Sequence, residues 1–224
     1  MTLSQLEILS KINKLKHEDF AKVVIDCNFE NFQYNLILLT SDCALNRNLM
    51  KLIGCWRKKN EIWFLSQFKV TTERTTKWFE ERVIGTPDRL LFIIKANDKY
   101  IGHVGLFRFD FENKTCEIDN IVRGEPENHG IMGNAVLHMM EWGKKNLDIK
   151  NYSLKVLSDN EKAKRLYERL GFSEISRIPL IPIEGNDGLE WVEVPDGYDK
   201  PTEKYYVVMK LVQKDKNGLD SQIQ

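Results

Sequence analysis

The sequence predicts an α/β fold, a mixed sheet with helices on both faces. Two observations carry that expectation. Helical apolar spacing marks segments 3–15, 43–59 and 71–85, with a strand-like run at 34–41 between them, and from residue 89 the pattern changes to short extended runs bounded by turn residues. The later runs alternate in type, so the order reads helices, antiparallel strands, helix, strand, helix, strands. A third observation concerns size: 42% of the 224 residues are hydrophobic, enough for one large domain, or one domain with an extension, around a real core.

The elements follow in order. Leu3, Leu6, Leu9, Ile12 and Leu15 recur at helical spacing and predict a first helix. "FAKVVIDC" (20–27) fits a strand or a continuation of that helix, and "YNLILLTS" (34–41) reads as a strand. "CALNRNLMKLIGCWRKK" (43–59) is helical in pattern, and "TTERTTKWFEERVIG" (71–85) has a Thr cap, a helical stripe and a stopping Gly. "RLLFIIKA" (89–96) and "KYIGHVGLFRF" (99–109) are strands joined by a hairpin signal, and "TCEIDNIV" (115–122) follows the turn "ENK". After a loop and a helix come a strand "NYSLKVL" (151–157), a helix "NEKAKRLYERLGF" (160–172) stopped at Gly171, and "SEISRIPLI" (173–181), which starts as a strand. Residues 182–200 hold Pro182, Gly185, Gly188, Pro195 and Gly197 and read as a loop too long for a bare connector. "EKYYVVMKLV" (203–212) closes the fold, and the last dozen residues form a polar tail. The expected organisation is an N-terminal extension over 1–33, a domain over 34–212 with an insertion at 182–200, and a tail over 213–224.

Composition excludes several function classes. Lys+Arg and Asp+Glu are both 33, so no broad basic surface exists for sequence-independent nucleic-acid binding. Cys27, Cys43, Cys55 and Cys116 are scattered, with no His at ligand spacing, and read as reduced core thiols; no metal is expected. No signal peptide and no apolar run long enough for a membrane span are visible, so the expectation is a cytoplasmic protein with no membrane partner.

The informative stretch is "EPENHGIMGNAVLHMMEWG" (125–143), where two glycines open an amphipathic helix whose buried stripe is Met132, Val136, Met139 and Met140. A glycine in a helix costs about 1 kcal/mol relative to Ala. In the first turn, however, backbone N–H groups have no partner within the helix, and with the helix dipole they suit a pyrophosphate. Ordinary loop-to-helix junctions also use glycine. No Gly-Lys-Ser/Thr follows, and GxGxxG is absent.

Downstream, "SDNEKAKRLYERLGF" (158–172) supplies Asn160, Ala163, Tyr167, Gly171 and Phe172 in the pattern N-x-x-A-x-x-x-Y-x-x-x-G-F. Together with the strand ending in Val122 and the glycine at 130, the chain resembles the GNAT superfamily of acyl-CoA-dependent N-acetyltransferases over roughly residues 34–212. The resemblance implies a mixed, mostly antiparallel sheet that splays between its fourth and fifth strands. It implies acetyl-CoA or another short acyl-CoA as cosubstrate, held by Asn120, Ile121 and Val122 of the strand, by Asn128, His129, Gly130, Ile131, Met132, Gly133 and Asn134 of the turn, and by Asn160, Ala163 and Tyr167. It gives Tyr167 the role of protonating the leaving thiolate, with Asn160 near the sulfur. The family's usual Gln/Arg falls on Glu127, its last Gly/Ala on Met132, and Gly133 sits where many members have Thr or Ser. Phosphate binding is therefore expected from main-chain amides of residues 128–133.

Glu117 and Asp119 lie two apart on one strand, so they face one side, and either is a candidate base for the attacking amine, Asp119 preferred; both also fit solvent-facing polar positions. Arg123, Gly124 and Glu125 are expected to line the acceptor cleft, and Trp191 to stack on a base or sugar or to meet a dimer partner. His103 reads as a packed or hydrogen-bonded histidine, His138 as helix surface, and Trp56, Trp63, Trp78 and Trp142 as core. "EIDNIVRGE" with the two motifs above looks like a subgroup that acylates nucleotide-linked amino sugars of surface polysaccharides, with an acetyl or short hydroxyacyl group such as 3-hydroxybutyryl. A peptide N-terminus and a non-catalytic acyl-CoA-binding module are the alternatives, and a homodimer is expected.

Overall fold

The computed structural model describes residues 3–126, 129–185 and 188–212. Five α-helices, α1 (Leu3–Lys16), α2 (Arg47–Lys59), α3 (Thr72–Trp78), α4 (Ile131–Leu147) and α5 (Glu161–Arg169), flank one sheet. The strands are β1 (Val24–Phe29), β2 (Phe32–Leu38), β3 (Ser66–Phe68), β4 (Arg89–Ala96), β5 (Lys99–Asp110), β6 (Thr115–Arg123), β7 (Asn151–Leu157), β8 (Phe172–Gly185), β9 (Gly188–Glu193) and β10 (Lys204–Leu211). Their order across the sheet is β1-β2-β4-β5-β6-β7-β10-β8-β9-β3.

The central strands show why their sequences are nearly all apolar. Along β4, Leu90, Phe92 and Ile94 enter one core while Leu91 and Ile93 enter the other. Strand β2 divides likewise, with Leu36 and Leu38 on one side and Ile37 on the other. One core is closed by α4 through Ile131, Ala135, Val136 and Met139, by Ile12 of α1 and by Tyr167 of α5. The other is closed by Leu49, Met50, Ile53 and Trp56 of α2 and by Phe79 and Val83 of the π-helical segment Phe79–Ile84 that continues α3. A strand buried on both faces loses the polar alternation of a half-exposed one.

Turn chemistry sets the hairpins. Asn97 and Asp98 both have positive φ, 46° and 60°, between the paired residues Ala96 and Lys99. That is the two-residue loop whose twist matches the strands it joins. Asp110 accepts the N–H groups of Glu112 and Asn113 through Oδ1 and so closes the β5–β6 turn.

Several expectations are corrected. Residues 24–29 form β1, paired in register with β2, which settles the ambiguity at 20–27 in favour of a strand. In α1 the packed face is Ile8, Ile12 and Leu15, while Leu6 is 53% exposed, because only one side of this edge helix meets the sheet. The segment 182–200 is not a bare loop: β8 runs to Gly185 and pairs with β9, which in turn pairs with β3. Cross-strand pairing there overrides the local Pro and Gly signals, and β3, only three residues long, gave no periodic signal. Cys55 and Trp63 are exposed rather than core, whereas Cys27, Cys43 and Cys116 are buried. No helix among the described residues is long and apolar enough to cross a membrane. The tail at 213–224 lies outside the described residues.

Lys16 is the least expected core residue, at 1% exposure. Its Nζ donates to the carbonyls of Ile84 (2.8 Å) and Thr86 (2.6 Å), tying α1 to the end of the π-helical segment, where a cation complements the backbone dipole. Burial pulls its pKa down to about 8. Between that value and about 10.4, the usual lysine value, the unfolded chain holds the extra proton, so this group raises stability as pH climbs through that window. Lys16→Met is expected to cost about 1–3 kcal/mol at pH 7, because it strands buried carbonyls. It should also abolish the gain between pH 8 and 10. Chemical denaturation of both proteins at several pH values checks both statements.

Candidate active site

Strands β6 and β7 are the parallel pair in this sheet, and their pairing ends early. The register runs from Thr115↔Asn151 to Ile118↔Leu154 and stops there, although β6 continues to Arg123 and β7 to Leu157. Beyond Ile118 the two strands diverge. On its other side β6 carries a bulge: His103 pairs with Val122 and Gly105 with Asp119, so Asn120 and Ile121 oppose Val104 alone. Asn120 takes φ +49° at this point. A bulge bends a strand and re-aims its side chains, which is how it serves sites at the edge of a pairing.

Helix α4 begins just past the end of β6. Gly130 is its N-cap, at φ +89°, a left-handed conformation that side chains other than glycine resist. The first intrahelical bond runs from Asn134 N–H to the Gly130 carbonyl. The N–H groups of Ile131, Met132 and Gly133 therefore have no partner within the helix and point out of its N-terminal end. Gly130 has no side chain to cap them. This bare, left-handed entry fits a pyrophosphate held by main chain.

The glycines have a second, packing reason that the sequence did not reveal. A Cβ on Gly130 would stand 2.6 Å from Cζ of Phe29, and one on Gly133 would stand 3.0 Å from Cδ1 of Leu166. The space at both positions is taken by protein, not left open for a ligand. Gly133 thereby lets α5 seat on α4. Asn134, also named for the cosubstrate, has its N–H engaged within the helix, and its Oδ1 accepts the Tyr34 hydroxyl at 2.8 Å. His138 is corrected, being part-buried with Nδ1 3.1 Å from the same hydroxyl. His129 is exposed in the turn before α4, and Glu127 and Asn128 lie outside the described residues.

On the β7 side, Asn160 caps α5 by accepting the Ala163 N–H on Oδ1 at 3.2 Å. Losing such a cap costs about 1 kcal/mol. Asn160→Ala is thus expected to lower stability by about that amount, measured by denaturant melts, with Asn160→Asp near neutral. Tyr167 is 7% exposed and packs edge-on to Phe172. Its hydroxyl has no hydrogen-bond partner among the described residues, and burial holds its pKa well above the phenol range. The hydroxyl is therefore neutral at pH 7.

The bulge faces a cavity of about 150 Å³ on the other side of the sheet, between β6 and the α2–α3 region. Asn120 and His103 line it, opposite Phe64, Phe68 and Trp78. His103 Nδ1 lies 2.7 Å from the Asn120 carbonyl, and burial pushes the imidazole pKa down to about 4. It is neutral at pH 7, with Nδ1–H donated to that carbonyl and Nε2 left as an acceptor at the cavity. The reading of His103 as hydrogen-bonded is right, and its place on the cavity wall is what a lone histidine in a strand could not reveal.

Asp119 and Glu117 share a face, as expected. Glu117 is held by Arg108 at 2.9 Å. Asp119 Oδ2 accepts from Arg89 at 2.8 Å and from Asn120 Nδ2 at 2.9 Å, while its Oδ1 is buried without a partner. Burial outweighs the Arg89 charge and lifts the carboxyl to about 6. Asp119 thus stands directly behind the cavity wall, bonded to the wall residue Asn120.

Arg123, Gly124 and Glu125 do not line the cavity; they fasten the loop after β6. Trp56 lies so close that a Cβ on Gly124 would fall 2.1 Å from its ring. Trp56 Nε1 donates to Glu125 Oε1 at 3.0 Å, and Arg123 donates to the backbone of Glu125 and Pro126. Trp191 sits on β9 with its backbone N–H donated to the Leu65 carbonyl and Lys204 over its ring, next to the segment that carries the cavity's phenylalanines. Among the described residues no group of three or more His, Cys, Asp or Glu side chains could hold a metal ion.

A profile of the acetyltransferase (GNAT) domain matches residues 47–173, more than half of the chain. The chain belongs to the GNAT superfamily. Among solved structures, the GNAT fold here is similar to RimL, a ribosomal L7/L12 alpha-N-protein acetyltransferase, at 13% identity and TM-score 0.59, over 86% of this chain and 97% of that one. It is similar to the spermidine N-acetyltransferase of Vibrio cholerae in complex with CoA and spermine, at 17% identity and TM-score 0.54, over 79% of this chain and 94% of that one. It is also similar to the microcin C7 self-immunity acetyltransferase MccE in complex with acetyl-CoA and AMP, at 17% identity and TM-score 0.56, over 81% and 92%. At such identities these likenesses bear on the fold. No protein of curated function matches. The GNAT domain makes this protein an acyl-CoA-dependent N-acetyltransferase, and nothing in the comparisons selects an amino-sugar acceptor.

Proposed function

We propose that the protein transfers an acetyl or short hydroxyacyl group directly from acyl-CoA to a small primary amine. The observation that carries this reading is the divergence of β6 from β7 beyond Ile118, facing the uncapped N-terminus of α4. The N–H groups of residues 131–133 hold the pyrophosphate, and the pantetheine lies along the unpaired end of β6 at Asn120–Val122. The thioester supplies an activated acyl carbonyl and a thiolate leaving group. The acceptor enters from the cavity lined by Asn120 and His103, so that amine and thioester meet across the bulge.

The residues then divide the proton work. Asp119, lifted to about 6 and with an unengaged Oδ1, takes the proton of the attacking amine through water. His103 Nε2 accepts a hydrogen bond from the neutral amine and aims its lone pair. Tyr167, kept neutral by burial, donates to the departing sulfur. A nucleotide-linked amino sugar is the first acceptor to test, on the strength of the "EIDNIVRGE" resemblance, and a peptide N-terminus is its rival.

The test follows free-thiol release from acetyl-CoA with dTDP- and UDP-linked amino sugars, N-terminal peptides and polyamines. Amine-dependent release supports transfer. Tight CoA binding with no release on any amine would leave a binding module instead.

A further inference from the structure

We propose that the acceptor carries an oxyanion, a carboxylate or a phosphate, beside its amine, and that Arg57 is the counter-charge for it. The inference rests on the cavity above being the acceptor site.

The cavity has an unusual charge balance. Its wall includes the guanidinium of Arg57, and no Asp or Glu side chain among the described residues lines it. Arg57 reaches in from α2. Its Nη2 donates to the Ser66 carbonyl at 2.5 Å and to Ser66 Oγ at 3.3 Å, and its plane lies over Phe64, 3.7 Å from the ring centroid. Phe68 flanks it at 5.1 Å. These contacts fix where the guanidinium sits, yet none of them neutralises it. Nη1 is buried with no hydrogen-bond partner. Glu61, the carboxylate whose field reaches Arg57, is engaged by Lys58 at 2.6 Å.

A buried charge whose one opposing carboxylate is shared with a lysine is incompletely compensated, and a fully uncompensated one costs several kcal/mol before any relaxation. Arginine's fixed fork is suited to carboxylate and phosphate oxygens, and an oxyanion in the cavity would give Nη1 the acceptor it lacks. The aromatic walls lower the local dielectric and strengthen that pairing. The same feature works against a polycation: an acceptor such as a polyamine would bring like charge against the Arg57 guanidinium. Arg57 lies on α2, well apart in sequence from Asp119 and Tyr167, so acceptor choice and chemistry are carried by different elements.

The experiment compares matched acceptors. One arm pairs an amino acid with its amide, and the other pairs a dTDP-linked amino sugar with the free amino sugar; spermidine serves as the polycation. The anionic member of at least one pair is expected to show a kcat/KM at least tenfold above its neutral partner, and the arm that responds tells carboxylate from phosphate. Arg57→Met should collapse that ratio toward one through KM, and Arg57→Lys, which keeps the charge but not the fork, should restore part of it. Calorimetric titration of the same pairs into the CoA-loaded protein reads the preference without turnover, so it answers even if transfer itself fails. CoA affinity of each variant, measured in the same way, shows whether the variant is folded. A neutral or polycationic acceptor preferred in both assays, or a preference unchanged in Arg57→Met, overturns the proposal.

Discussion

Asp119→Asn is expected to lower kcat by about 10²–10⁴-fold with acetyl-CoA affinity retained, the range that removal of a general base produces. The expectation follows from three facts about one carboxyl. It is buried behind Asn120, it is raised to about 6, and one of its oxygens has no partner. A base whose pKa lies just below the working pH is ionised when needed and still basic enough to take a proton. kcat/KM should therefore fall on the acid side with an apparent pKa near 6, and that limb should vanish in the variant. A structural role must be separated from a chemical one, because the variant strands Arg89, whose side chain is 13% exposed. Breaking such a pair from one side costs about 3–5 kcal/mol, whereas removing both partners is far milder. The double variant Asp119→Asn/Arg89→Met is thus expected to regain most of the lost melting temperature and none of the lost turnover. Turnover that returns with stability would reduce Asp119 to an ion-pair partner.

Much of this architecture is written locally in the chain. The two-residue turn at Asn97–Asp98, the Asn160 cap and the Gly171 stop are short-range features, and each lies where propensity alone puts it. The doubly buried β4 announces itself by its unbroken apolar run. What the chain does not announce depends on contacts between distant segments. Strand β3 exists because β9 pairs with it, about 120 residues later. The cavity is made by α2, β3, α3, β5 and β6 together, so no single motif marks Arg57 or places His103 on its wall. Arg123, Gly124 and Glu125 looked like cleft residues because they follow the key strand, yet Trp56, far upstream, packs on Gly124 and holds Glu125, while Asn60 Nδ2 donates to the Arg123 carbonyl. The family motifs encode where the cosubstrate goes through main chain, and main-chain geometry is the part of a site that sequence specifies most directly. Acceptor recognition is carried by side chains gathered from afar, and there the local signal fades.

Gly130→Val is expected to weaken CoA binding by at least tenfold while leaving the sheet intact. Two separate costs meet at this residue. A left-handed conformation costs an L-residue about 1–2 kcal/mol, more for a β-branched one. A Cβ would also stand 2.6 Å from the Phe29 ring. The chain can relieve both only by turning the 129–131 backbone, which redirects the amides at the start of α4. The two costs can be separated. Gly130→Ala with Phe29→Ala removes the clash and keeps the strain, so its CoA affinity should stay below that of Phe29→Ala alone by about 5- to 30-fold, the equivalent of 1–2 kcal/mol. Phe29 is only partly buried, on β1, and its removal should by itself leave the amides in place. Calorimetry with CoA, and amide chemical shifts of Ile131, Met132 and Gly133 before and after addition, read the two consequences separately. If those amides do not respond to CoA in the wild-type protein, or if Gly130→Val binds CoA unchanged, then the main-chain cradle is not where the pyrophosphate sits, and the assignment of the cosubstrate to the gap between β6 and β7 falls with it.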